Sequence, residues 1–326
     1  MRALVFGRLG AKRAETLIGA SLGVDAAAVA LDADWACVLT TDPITTAALG
    51  AGRLAVHVAC NDLAAMGAEP LGLLATLLFP AGTAPAAIGQ ITAEIDATAR
   101  ELNVEVLGGH TEVAPGLSAP IVVMTGVGKA RRDRLLTAAG ARAGDALVLT
   151  RAAGLEGSHI LATAALEGLP LAADFAERLS AIPRSVLEVA RDYAAELSVV
   201  PAARLAVELG ATAMHDPTEG GVIGASWEMA EASGCGFRIE VDRIVVRPAT
   251  RAICVALGVD PLRLIASGAL LIACRDGPLM VQGLVEHGVP AAQIGVMTHA
   301  NCQLVHPDGQ VEEVDHLDRD EIYRLM

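Results

Sequence analysis

The chain has 326 residues, a net charge of −14, 53% hydrophobic residues and only 2% aromatic ones. That length suits two domains, and the apolar fraction supports a large core built from Ala, Leu and Val at close backbone distances. The acidic balance excludes nucleic acid as a main partner, because phosphate backbones demand Lys/Arg surfaces. No apolar run reaches about 18 residues without Gly, Pro or charge, so no membrane span is predicted.

Residues 1–20 are basic and read as a short helix or arm, with no signal peptide behind Met1-Arg2-Ala3. The stretch Gly19-Ala20-Ser21-Leu22-Gly23-Val24-Asp25-Ala26-Ala27-Ala28-Val29 reads as a small-residue loop entering a strand, with Asp25 at the junction. Such a loop lets a phosphate approach the backbone, and it is equally an ordinary turn with an Asp cap. Ala36–Thr41 is a strand ending at Thr40-Thr41-Asp42-Pro43, where proline is expected to stop a central strand. A helix over 50–67 follows, then a strand over 71–79, a helix over 86–102 and a strand over 104–107. The last of these leads into the loop Gly108-Gly109-His110-Thr111-Glu112, and a strand over 119–127 closes the unit. This order predicts a mixed sheet with helices on one face.

The basic, Ala/Gly-rich connector 131–144 places a domain boundary there, giving domains 1–144 and 145–326. In the second domain, strands are expected over 146–150, 211–214, 237–241 and 269–273, with two more after the last helix. Helices are expected over 157–167, 173–180, 184–195, 201–209, 221–233, 248–257 and 277–287. It reads as an α+β sandwich. Thr218, in His215-Asp216-Pro217-Thr218-Glu219-Gly220-Gly221, is a candidate N-cap, and the charged tail 311–326 is expected to be peripheral.

The helix over 50–67 contains the sequence's main anomaly. Asn61 and Asp62 sit in the middle of a run apolar enough to be buried. A buried carboxylate is rare unless it is paired or holds a cation. Either Asn61, Asp62 and nearby backbone satisfy one another, or Asp62 binds a metal. Asp25, Asp42, Glu112, Asp216 and Glu219 keep it company at strand ends and in loops. Separate carboxylates converging on one sheet edge would suit a magnesium–nucleotide complex, since Mg²⁺ takes oxygen ligands in octahedral geometry. Taken singly, Asp25, Asp42 and Asp216 are equally caps or turn residues. His110 and His215 are candidate phosphate donors or general acid/base groups.

Walker A, nucleophile-elbow and Rossmann glycine patterns are absent, and Lys occurs only at 12 and 129. The six cysteines (Cys37, Cys60, Cys235, Cys254, Cys274 and Cys302) form no C-x-x-C pair. They read as free, buried thiols in a reducing cytoplasm rather than zinc, iron–sulfur or disulfide ligands.

Four motifs together resemble the AIR synthase (PurM-like) superfamily, nearest its hydrogenase maturation factor HypE branch. They are Gly23-Val24-Asp25-Ala26-Ala27, Thr40-Thr41-Asp42, Asn61-Asp62-Leu63-Ala64-Ala65-Met66-Gly67-Ala68-Glu69-Pro70 and Asp216-Pro217-Thr218-Glu219-Gly220-Gly221. The resemblance implies two α+β domains, ATP and Mg²⁺ as cofactors, and a homodimer whose N-terminal sheets pair into a barrel. It implies phosphorylation of an amide or similar oxygen on a small-molecule or protein-linked substrate, followed by displacement. By motif match, Asp25, Asp42 and Asp62 become metal or phosphate contacts, oriented by Asn61. Gly108, Gly109 and Thr111 form the phosphate-side loop, Thr218 and Gly220 are nucleotide contacts, and Asp216 and His110 are catalytic candidates.

The chain departs from the family pattern in three places. Val24 stands where the loop usually carries a first acid, His110 follows Gly-Gly where HypE-like relatives place Asp, and the chain closes on Arg324-Leu325-Met326 where HypE carries a cysteine. These departures leave open a non-catalytic, nucleotide-binding paralogue acting as a partner or regulator in metallocluster assembly. A true AIR synthase would need a sugar-phosphate site, whose basic residues are not evident near the motifs.

Overall fold

The computed structural model describes residues 6, 8–21, 23–45, 50–169, 171, 173–315 and 320–325. The chain divides into two compact units, 1–135 and 136–326, each built on its own sheet.

In the first unit the strands are β1 (Thr16–Ile18), β2 (Ala27–Ala30), β3 (Trp35–Ile44), β4 (Glu69–Phe79), β5 (Glu105–Val113) and β6 (Ile121–Arg131). They lie in the order β1-β2-β3-β6-β4-β5, antiparallel except for the β4/β5 pair. Parallel neighbours need a crossover, and α2 (Pro85–Glu101) supplies it. Helix α1 (Ala51–Ala65) connects β3 to β4 and packs on β3 and β6. It ends in a Schellman turn, with Gly67 N–H on the Ala64 carbonyl and Ala68 N–H on that of Leu63, so the chain turns straight into β4.

The seat of α1 is made by small residues. A Cβ on Gly126 of β6 would lie 3.0 Å from the Leu63 side chain and 3.1 Å from both the Ala59 carbonyl and the Thr40 methyl. The helix therefore rests almost directly on the sheet backbone, as a core poor in aromatics requires.

Several local expectations change. Among residues 1–20, positions 1–5 and 7 lie outside the described residues, and Thr16–Ile18 is a strand rather than part of a helix or arm. Leu22 of the small-residue loop is also outside them. Strand β3 runs through Asp42 and Pro43, because β2 pairs only with Ala36–Leu39. Beyond Leu39, one side of β3 has no ladder partner among the described residues, so the missing proline N–H costs nothing. The stretch Gly108–Glu112 is not a loop but the body of β5, an edge strand paired with Leu74–Leu78. Gly109 is needed there because a Cβ would collide with the backbone of Ala75.

The second unit has β7 (Ala146–Thr150), β8 (Ala211–His215), β9 (Gly236–Glu240), β10 (Leu271–Cys274), β11 (Ala291–Thr298), β12 (Cys302–Val305) and β13 (Val311–Glu313). Their order is β13-β12-β9-β11-β7-β10-β8, with β9/β12 the parallel pair. Helices α3 (Leu155–Glu167), α4 (Ala173–Ser180), α5 (Arg184–Arg191), α6 (Val200–Glu208), α7 (Gly221–Ser233), α8 (Pro248–Leu257) and α9 (Gly277–Glu286) surround it. Helix α7 packs on Leu147, Leu149, Leu271 and Ala273. Helix α9 meets the opposite face at Ala146, so β7 is buried on both sides.

Thr218 is not the cap of α7. Gly220 holds that position in a left-handed conformation, without a side-chain cap of its own. The tail is not peripheral either, since β13 joins the sheet and Asp320, Ile322 and Leu325 are buried. Among the described residues no helix is long and apolar enough to cross a membrane.

Replacing Gly126 with Val should lift α1 off β6 and destabilise the first unit by about 1–3 kcal/mol through overpacking. A lower urea midpoint at unchanged slope is the expected observation.

Candidate functional site

In the first unit, β3 and α1 bring together Thr40, Asp42 and Asp62. Thr40 and Asp42 are two residues apart on one strand, so their side chains share a face. Asp62 comes down on that face from α1. The Thr40 hydroxyl oxygen lies 2.6 Å from Asp62 Oδ2 and 3.0 Å from Asp42 Oδ2. A hydroxyl has one proton and donates to one carboxylate at a time, so the group carries more acceptors than protons. Asp62 is only 7% exposed, Thr40 is buried, and Asn61 beside them is fully buried. Two carboxylates and a hydroxyl in a mostly buried cluster form a hard-oxygen set that fits Mg²⁺.

Asp25 is half-buried in the turn before β2. The ladder with β3 begins at Ala27, opposite Leu39, so Asp25 lies outside it. Of the acids singled out from sequence, the structure joins Asp42 and Asp62 through Thr40. Gly109 lies in the same row as Asp42, through Met124 and Ala75. Three strand spacings separate them, about 14 Å. The structure does not bring His110 to the carboxylates. It is exposed on edge strand β5, with Nε2 3.3 Å from Glu112 Oε2. Thr111 is exposed on the same strand.

Cys60, two residues before Asp62, is an inert thiol. Burial, with the Asp62 charge adding, pushes its pKa up to about 12. Burial likewise raises Cys254 to about 12 and Cys274 to about 11, and it raises Cys302. None of these is a ready nucleophile.

In the second unit, β8 ends at His215, which is followed by Asp216, and both are buried. The Nε2 of His215 is 2.8 Å from the Glu228 carboxylate of α7. Thr218 is half-buried in the turn, and its carbonyl accepts from Gly221 N–H at 3.0 Å. Gly220 N–H donates to Asp320 Oδ2 at 2.6 Å. Beneath the turn, Glu156 of α3 is 2% exposed. Its pKa is pushed up to about 7 by burial, with the charges of Glu219 and Asp320 adding and Ser267 opposing. Burial also pushes Asp320 up to about 6, against the backbone N–H groups of Ile322, Gly220 and Ile265.

Sequence reasoning passed over Thr40, Glu156, Glu228 and Asp320. The i, i+2 spacing of Thr40 and Asp42 was a usable signal, and so were Glu156 and Glu228 within the apolar stretches of α3 and α7. Asp320 left only a faint one, the apolar Ile322 and Leu325 that follow it.

Residues 23–130 match the N-terminal domain model of AIR synthase related proteins, and residues 142–305 match the C-terminal one. The chain belongs to the AIR synthase related protein family. Within that family, carbamoyl dehydratase HypE of Azotobacter vinelandii is 32% identical over 283 residues, which cover 84% of this chain and 78% of that protein. Carbamoyl dehydratase HypE of Cupriavidus necator is 29% identical over 317 residues, covering 93% and 86%. The crystal structure of hydrogenase maturation protein HypE in complex with ATP superposes with a TM-score of 0.71 at 25% identity, covering 90% of this chain and 89% of that one. Thr40, Asp42, Asn61, Asp62 and Asp216 all fall within the family-matched ranges, whereas Asp320 does not.

The raised carboxyls set the pH dependence of stability. Native Glu156 holds its proton up to about 7 against an ordinary value of 4.5. Its contribution is full below about 4.5 and is lost as pH rises through 7, by on the order of 3 kcal/mol. Asp320 acts in the same direction over a lower window. The melting temperature should therefore fall from pH 5 to pH 8, and Glu156→Gln should flatten much of that slope in calorimetric scans.

Proposed function

We propose that this protein is an ATP- and Mg²⁺-dependent enzyme that phosphorylates an amide or similar oxygen of a small-molecule or protein-linked substrate. The observation that carries this reading is the Thr40 hydroxyl held between the carboxylates of Asp42 and Asp62. Those residues would hold the metal, with Asp25 a further ligand by motif match and Asn61 fixing the local geometry from α1. Bound magnesium–ATP would supply the phosphoryl group and neutralise the charge that develops as it moves.

The chain's own contribution is placement and electrostatics. The β3–α1 junction keeps its acceptors fixed and largely dry, so charge there acts at low dielectric. By motif match, Gly108, Gly109 and Thr111 on the exposed edge strand β5 would be phosphate-side contacts, and His110 on the same strand a donor. By the same match, Asp216 would be the catalytic group of the second unit, with Thr218 and Gly220 in the turn that carries it. An amide oxygen is a poor leaving group until it is phosphorylated. A carboxamide dehydration, the reaction class named for the HypE relatives, therefore fits the same machinery.

Strands β4 and β5 expose Leu71, Leu74, Val106, Leu107 and Val113. An apolar edge of this kind invites pairing with another chain, which supports a homodimer formed through the first sheet. Leu74→Lys combined with Val106→Lys should yield monomers in analytical ultracentrifugation where the parent chain sediments as a dimer.

Asp62→Asn should remove measurable magnesium–ATP binding in titration calorimetry while cooperative unfolding is retained. Unchanged nucleotide affinity would remove Asp62 from the site. For the parent protein, ATP turnover across a panel of amides and carbamoyl compounds is the direct test. A nucleotide-induced rise in melting temperature without turnover on any of them would point instead to the non-catalytic, nucleotide-binding partner.

A further inference from the structure

The turn Asp216–Gly221 has an unusual backbone. Gly220 and Gly221 both have positive φ, 84° and 61°. Two consecutive residues in that region are stable only when the surroundings hold them. One side of the turn is held by the segment 262–266. Ala266 N–H donates to the Pro217 carbonyl at 3.1 Å, and Ile223 N–H donates to that of Leu262 at 3.2 Å. A Cβ on Gly221 would press into the Leu262 carbonyl, so this packing is close.

The other hold comes from beyond the family-matched residues. Asp320 is 2% exposed, and Ile322 and Leu325 anchor its segment at 1% and 0%. The Asp320 carboxylate divides its two oxygens. Oδ1 accepts from Ile322 N–H at 2.7 Å and shapes its own short 3₁₀ turn. Oδ2 accepts from Gly220 N–H at 2.6 Å, across 100 residues of sequence. The Tyr323 hydroxyl adds a bond to Glu219 at 3.3 Å. A carboxylate that only capped its own turn would not need to be buried against Gly220, and burying it is costly.

We propose that Asp320–Leu325 is a strap that holds the Asp216–Gly221 turn in its working form, with Asp320 a positioning residue acting through the Gly220 amide. Its bearing on catalysis rests on the reading of Asp216 given above, while its hold on the turn does not. The strap explains why a turn that places a buried aspartate can keep two left-handed residues in succession. It also makes residues outside the family-matched ranges part of how this chain works.

The test combines hydrogen exchange across residues 217–222 of the full-length protein with steady-state ATP turnover. In Asp320→Ala, amide exchange in the turn should rise about 10-fold, and kcat should fall about 10-fold with KM for ATP within about 2-fold. Asp320→Asn keeps an amide oxygen for Gly220 but turns its NH2 toward the Ile322 N–H, so it should recover only part of both and leave exchange about 3-fold above the parent. Unchanged exchange in Asp320→Ala overturns the strap. Faster exchange with unchanged kcat overturns its catalytic bearing. Parent protein that never turns over ATP sinks the phosphoryl-transfer reading, and exchange still decides the strap. Should Asp320→Ala not fold, a rise of about 3-fold is expected in Asp320→Asn, and an unchanged rate there overturns the proposal.

Discussion

The first unit depends on how closely α1 can sit on β3 and β6. Gly126 offers no side chain, and Ala59 and Leu63 occupy the space it leaves. Because the helix seats at that depth, Asp62 reaches the Thr40 hydroxyl at 2.6 Å rather than stopping short of the sheet. A core of Ala, Gly and Leu gains less from each side chain than one with aromatics. It compensates by bringing backbones together, where many short dispersion contacts accumulate. The same closeness keeps water from the carboxylates and gives them their electrostatic weight. Packing and chemistry in this unit share one cause.

The second unit places its polar groups differently. There a turn, not a helix face, presents Asp216, and the turn's backbone is one that only glycines tolerate. Its stability is borrowed from neighbours on either side. The buried carboxyls around it, Glu156 and Asp320, are held well above their ordinary range, by burial first. The chain thus keeps proton-binding groups beneath the Asp216 turn that cost stability as pH rises. Costly buried groups of this kind persist where the surrounding structure over-determines them.

The sequence was legible where a residue contradicted its surroundings. Asn61 and Asp62 in an apolar helix, and Asp-Pro-Thr-x-Gly-Gly before another, stand out because burial and charge conflict. Those motifs sufficed to suggest the family that the domain matches then established. Reading failed where local propensity and tertiary pairing disagree. Gly108-Gly109 looks like a loop because glycine weakens a strand, but pairing with β4 along its length keeps β5 extended. Pro43 looks like a stop, but the early end of β2 removes the ladder that it would have broken. The charged stretch before Asp320 looks solvated, and nothing within it shows that one carboxylate turns inward.

Sequence alone determined the inventory: which elements form, which acids lie at their ends, and which helices must be buried despite carrying a charge. These follow from periodicity, turn chemistry and the cost of desolvating a carboxylate, all local properties of the chain. Tertiary structure decided which of those acids meet. Thr40, Asp42 and Asp62 converge because a glycine on β6 lets α1 descend, and Gly220 meets Asp320 because the chain returns after 100 residues. The Asn61-Asp62 pair announced its own importance, but its hydroxyl partner on β3 was set by the depth of packing, which no stretch of sequence contains by itself.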